Sequence, residues 1–143
     1  MTLFVLDTSA ILAVLSDEPG AERVTDLLSE SARAAEAALD GDRALLPFMA
    51  LMELEYLTRR RFGAEEARRV LQLVRSWPVV LVDSDARWRH EAARVKSSTP
   101  LSVADAWISS LALLHDAILV HKDPELDAVD GLRAERLPFK EQR

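Results

Sequence analysis

Four short runs of strand-forming apolar residues recur along this chain and restrict its fold more than any other feature: TLFVLD (2–7), RALLPF (43–48), PVVLVD (78–83) and AILVH (117–121). The first shows no apolar-polar alternation, the pattern of a strand covered on both faces. Between the runs lie segments of helical period. Residues 8–15 form a short helix, and Pro19-Gly20 opens an amphipathic segment with Val24, Leu27 and Leu28 on one face, ending at the Asp40-Gly41-Asp42 turn. MALMELEYLTRRR and EEARRVLQLVRSW are two further helices separated at Gly63. A charged helix starts at Ser84 and runs to about Ser98, then the helix LSVADAWISSLALLH follows a Ser-Ser-Thr-Pro turn. A weak last strand is expected near residues 135–138. Strands alternating with helices imply an α/β fold with a mostly parallel sheet covered on both faces.

The 143 residues, 49% hydrophobic, suit one domain spanning 1–143. With no cysteine there is neither a disulfide framework nor a thiolate metal site. The apolar start meets an acid at Asp7 instead of forming a signal peptide, and no apolar run reaches membrane-spanning length, so a cytoplasmic protein is expected. The net charge of -6 argues against coating nucleic acid by charge alone. Its distribution is uneven: residues 1–40 carry -6, residues 41–100 carry +3 and residues 101–143 carry -3. The basic middle holds Arg59, Arg60, Arg61, Arg68 and Arg69, which are either solvated helix faces or a patch that draws a polyanion toward the acids.

Four acids are candidates for a site, two on apolar helices and two at the ends of strands. Asp105 lies on a helix that is apolar on nearly every side, where a charge is costly unless compensated. Ser102 three residues before it gives a capping-box spacing, whereas Ser102, Asp105 and Ser109 together form a polar line that would fit a wet or metal-lined cleft. Glu53 repeats the anomaly on the helix after the second strand, unless it reaches solvent or pairs with Arg60. Asp7 ends the first strand and Asp123 follows the fourth. Each has an ordinary alternative, as helix cap and turn residue respectively, but open parallel sheets place their ligands beyond the carboxyl ends of the strands. Four converging carboxylates would repel one another, and a divalent ion removes that penalty. Mg²⁺ and Mn²⁺ prefer such oxygen ligands together with substrate phosphate, which points to metal-assisted phosphodiester hydrolysis.

Other chemistries lack their residues. No GxGxxG, P-loop or GxSxG occurs, and His90, His115 and His121 do not have the spacing of a zinc site.

In order, FVLDTSA with Pro19-Gly20-Ala21-Glu22, the MELEYLTRRR helix, LSVADAWISSLALL and LVHKDPEL resemble a PIN domain, and more narrowly the VapC-type toxins of toxin-antitoxin pairs. The resemblance spans essentially the whole chain. It implies a three-layer α/β/α sandwich with a mostly parallel central sheet and a Mg²⁺- or Mn²⁺-dependent endoribonuclease. It also implies a homodimer held inactive by a small antitoxin whose tail enters the acidic groove. Carried over residue by residue, the family's acids fall on Asp7, Glu53, Asp105 and Asp123. Asp7 and Asp105 are expected to be direct metal ligands, with Glu53 and Asp123 acting through water. Thr8 or Ser9, and Ser102, match hydroxyls that accompany these acids. One departure stands out: the family often has a Thr or Ser and then a small residue before the last acid, and this chain has His121-Lys122. Lys122 is expected either to bind the scissile phosphate or to neutralise the acids. Two other functions share these residues: a non-catalytic PIN-like module that binds a protein or nucleic acid, and a structure-specific DNA nuclease.

Overall fold

The apolar runs build one parallel sheet. The computed structural model describes residues 1–36 and 41–139. Its elements run β1 (Leu3–Leu6), α1 (Thr8–Leu15), α2 (Ala21–Glu36), β2 (Arg43–Pro47), α3 (Phe48–Phe62), α4 (Ala64–Arg75), β3 (Val80–Val82), α5 (Ala86–Ser98), α6 (Val103–His115), β4 (Ile118–His121), a short 3-10 helix (Pro124–Ala128) and β5 (Arg133–Arg136). The strand order is β3-β2-β1-β4-β5, every pairing is parallel, and helices flank the sheet as in a PIN-like α/β/α sandwich. Phe4, Val5 and Leu6 of β1 and Leu119 and Val120 of β4 are all buried, so both faces of the middle strands are covered.

The edges depart from the expectations. The third strand shrinks to Val80–Val82, with Val80 46% and Leu81 44% exposed. The last strand falls at Arg133–Arg136, earlier than expected, because backbone pairing of Arg133 with Ile118 fixes it, whereas its own side chains carry no apolar pattern. The charged helix begins at Ala86, with Asp85 as its cap accepting the Trp88 N–H at 2.8 Å. The start of the predicted turn, at Asp40, lies outside the described residues.

Two features hold the helices that present the acids. Phe48 at the start of α3, Trp88 of α5 and Trp107 of α6 meet edge to face in all three pairs, with ring centroids 5.1 to 5.4 Å apart. Such pairs contribute about 0.5–1.5 kcal/mol each beyond burial. The Trp88 indole N–H donates to the Trp107 carbonyl (2.8 Å) and to Ser110 Oγ (2.9 Å), so the buried ring leaves no orphan donor. Gly63 joins α3 to α4 at φ 92°, a conformation that strains any residue with a Cβ.

Candidate active site

The sheet order reverses between β1 and β4, so the crevice at their carboxyl ends is where a parallel sheet receives a ligand. Asp7 leaves β1 there, its N–H still bonded to Val120 of β4 at 3.1 Å. It is the cap of α1, its carboxylate accepting the Ser9 N–H (3.1 Å) and the Ser9 hydroxyl. Ser9 Oγ also accepts the N–H of Lys122 at 3.0 Å, tying the exits of the two strands together. Thr8 donates its hydroxyl to Glu53 Oε1 at 2.8 Å, fastening the α3 acid to α1. Asp7 and Thr8 are each only 5% exposed.

Asp105 arrives from another direction. Ser102 caps α6 and its Oγ accepts the Asp105 N–H at 3.1 Å, so the capping spacing is realised, and it places the carboxylate at the helix start. Asp123 caps the 3-10 helix, its Oδ1 accepting the Glu125 N–H at 2.9 Å. Capping and convergence therefore coincide. Asp105, Asp123 and Glu125 bring one carboxylate oxygen each to within 4.8 Å of one another. Glu125 escaped the sequence reading. Its signal is Asp-Pro-Glu, a cap, a proline suited to the first helical position and an acid folded back beside the cap.

The electrostatics follow from burial without a counter-ion. Burial pushes the Asp7 carboxyl above its ordinary value, against the opposing effect of Ser9. Burial also raises Glu53, opposed by the Thr8 bond and reinforced by Asp7. Asp105 is pushed up to about 6, chiefly by burial, then by Asp7 and Asp123. Among the described residues no ion pair includes Asp7, Glu53, Asp105, Asp123 or Glu125. The Glu53–Arg60 pairing considered above does not form, and Arg60 instead lies over the Tyr56 ring at 5.1 Å. Lys122 brings its amide to the site, but its ammonium binds Glu18 at 3.0 Å. His121 is wholly buried, and burial holds its imidazole below the ordinary histidine range against the pull of Asp7 and Asp123. A cluster of hard oxygen donors lacking a protein cation fits Mg²⁺ or Mn²⁺.

The structure thus brings together Asp7, Thr8, Ser9, Glu53, Asp105 and Asp123, with Ser102 at the exposed rim. It shortens the polar line on α6. Ser109 is fully buried and donates to the Asp105 carbonyl at 2.7 Å, a bond within the helix, so it does not line the cleft. A groove of about 460 Å³ lies elsewhere, between α3 and α4 and lined by Glu55, Arg59, Arg68 and Arg75.

Comparison with known proteins bears on the family and the fold. The PIN domain family profile matches residues 4–132. No curated protein matches the chain in sequence. Among solved structures it is similar to DNA-bound VapBC from Salmonella typhimurium, with 21% identity, TM-score 0.74 and coverage of 95% of this chain and 98% of that one. It is also similar to VapBC2 from Rickettsia felis bound to a DNA fragment from their promoter, with 17% identity, TM-score 0.74 and coverage of 94% and 98%. The sarcin-ricin loop cleaving toxin VapC20 of Mycobacterium tuberculosis matches with 16% identity, TM-score 0.66 and coverage of 94% and 99%. At such identities the likeness is one of fold. The profile, by contrast, runs from β1 past the last of the acids, and on that ground the chain belongs to the PIN domain family.

Proposed function

We propose that the chain is a Mg²⁺- or Mn²⁺-dependent endoribonuclease, the toxin of a type II toxin-antitoxin pair. It acts in the cytoplasm as a homodimer formed by one 1–143 domain per subunit and is restrained by a cognate antitoxin. The observation that carries this reading is the meeting of acids from four separate elements at the β1/β4 exit, with no ionic partner among the described residues. Asp7 and Asp105 hold the ion directly, Glu53 and Asp123 act through water, and Glu125 extends the set on the Asp123 side. The ion would supply Lewis-acid neutralisation of phosphodiester oxygens and ease ionisation of a nearby water.

The chain's own groups do the rest. Thr8 occupies Glu53 Oε1, which leaves Oε2 to orient the attacking water and take its proton. Attack on phosphorus in line breaks the bond to the leaving sugar oxygen, which takes up a proton from solvent. Thr8 and Ser9 fix the acids and Ser102 holds the start of α6, while the Lys122 ammonium is engaged by Glu18. Support for the partner comes from the structural neighbours, several of which are toxin-antitoxin complexes, and from the exposed Met52, Tyr56, Leu57 and Phe62 along α3.

The test is incubation of the purified chain, freed of any antitoxin, with a broad pool of RNA transcripts. Cleavage with Mg²⁺ or Mn²⁺, none in EDTA and only a residual rate by Asp7→Asn is expected. EDTA-resistant cutting would remove the metal, cutting of DNA alone would favour the DNA nuclease, and no cutting at all would favour a binding module.

A further inference from the structure

The imidazole of His121, a residue that departs from the family pattern, makes one hydrogen bond and leaves one nitrogen without a partner among the described residues. It ends β4 and is wholly buried. Its Nδ1 accepts the backbone N–H of Asp123 at 3.0 Å. A nitrogen that accepts carries no proton, so the neutral ring has its hydrogen on Nε2. Nε2 is buried without a hydrogen-bond partner among the described residues. A buried donor left unpaired forfeits its hydration without return, a cost that a leucine in the same space would not incur. What the imidazole provides and leucine lacks is an acceptor for Asp123.

That acceptor has a particular place in the site. Asp123 is fastened at its carboxylate by the Glu125 N–H (2.9 Å) and at its carbonyl by the Leu126 N–H (3.2 Å). Both bonds lie inside the 3-10 turn and move with it. The bond to His121 instead joins the turn to the sheet, and the His121 carbonyl is itself held by the Leu137 N–H at 2.7 Å. The preceding amide, of Lys122, is taken by Ser9 Oγ, so two successive N–H groups lock the exit of β4.

We propose that His121 is a positioning residue: its Nδ1 accepts the Asp123 amide and thereby fixes the turn that aims the Asp123 and Glu125 carboxylates at Asp105. In its metal-binding consequence this rests on the reading of the acids as a divalent-ion site. Two substitutions separate positioning from bulk. In His121→Asn the Oδ1 hangs from Cγ as Nδ1 does in histidine and accepts the same N–H, whereas His121→Leu fills the space without an acceptor.

Isothermal titration of Mn²⁺ into the full-length wild type and both variants gives the first reading. His121→Leu weakens binding about tenfold or more, the scale at which groups behind metal ligands act, and His121→Asn stays within about threefold of wild type. A merely structural role would not be rescued by asparagine. Equal affinity in wild type and His121→Leu, or an asparagine variant as weak as the leucine one, overturns the proposal. Nitrogen-15 NMR of the metal-free wild type gives a reading that needs neither variant nor metal: an unprotonated Nδ1 and a slowly exchanging Asp123 amide are expected, and a protonated Nδ1 overturns the proposal. A wild type that binds no Mn²⁺ while the NMR result holds would retire the metal reading and leave His121 as the anchor of the turn.

Discussion

The β1/β4 exit and the α3–α4 hairpin carry similar densities of charge and treat it in opposite ways. At the exit, Asp7 is almost wholly buried and Asp105 and Glu53 are half-buried, and none has an ionic partner among the described residues. On the hairpin, Arg59, Arg60, Arg61, Arg68 and Arg75 are exposed and also form no ion pair among the described residues, while Arg69 is satisfied by Glu66 at 2.5 Å. Water reaches the arginines fully, Asp105 and Glu53 in part and Asp7 hardly at all. An unpaired charge is therefore informative only where solvent is excluded, because there the missing counter-ion is an energetic debt that a ligand can settle. The basic hairpin retains the weaker, longer-range role of attracting an anion.

The largest effect expected from this contrast is on catalysis. Asp7→Asn or Asp105→Asn lowers kcat by on the order of a hundredfold to a thousandfold, the scale of losing a preorganised charge stabiliser, and single-turnover RNA cleavage measures it. Glu53→Gln keeps the Thr8 acceptor but forfeits the negative charge, and it lowers kcat by about ten- to a hundredfold with a smaller change in KM. A Glu53→Gln variant of wild-type rate would place Glu53 with the exposed charges.

Reversing Arg59, Arg60 and Arg61 to glutamate weakens RNA association by about tenfold at low salt and leaves the rate at saturating RNA unchanged. Filter-binding titrations should see the difference vanish near 1 M salt, where the screening length is about 3 Å. A deficit that persists there would mean direct contact and erase the distinction between the two regions.

The smallest effect is on metal-free stability. The folded carboxyl of Asp105 titrates at about 6, above its ordinary 3.8. The folded state therefore holds a proton that the unfolded chain releases, and this contribution is complete below about pH 4 and lost as the pH rises through 6. In EDTA, denaturant unfolding should find Asp105→Asn more stable than wild type by on the order of 1 kcal/mol at pH 7.5, with the advantage shrinking toward pH 4. An advantage independent of pH would disconnect it from this titration.

The legible parts of the molecule were those with a side-chain signature. The middle strands could be placed because LFVL, ALLP and the ILV of β4 are apolar runs without polar alternation. β5 reads RAER and was placed too late, because its position comes from backbone pairing with β4, which leaves no trace in composition. Glu53 and Asp105 stood out as acids on apolar helices, Asp7 and Asp123 as acids at the ends of strands. Glu125 did not, since an exposed acid beside a proline looks like any turn. Ser109 misled because helical period gives the face a hydroxyl shares but not whether it turns back to its own backbone. His121 was legible as a departure, and only the bond from the Asp123 amide gives it a purpose.

Thermal melting of wild type and Asp105→Asn, each in EDTA and in Mg²⁺, bears most directly on the claim that the buried acids form a divalent-ion site. Mg²⁺ at about a hundredfold excess over its Kd should stabilise wild type by up to roughly 2.7 kcal/mol and the variant by much less. An equal metal-induced shift in the two proteins would contradict the claim and remove Asp105 from the site.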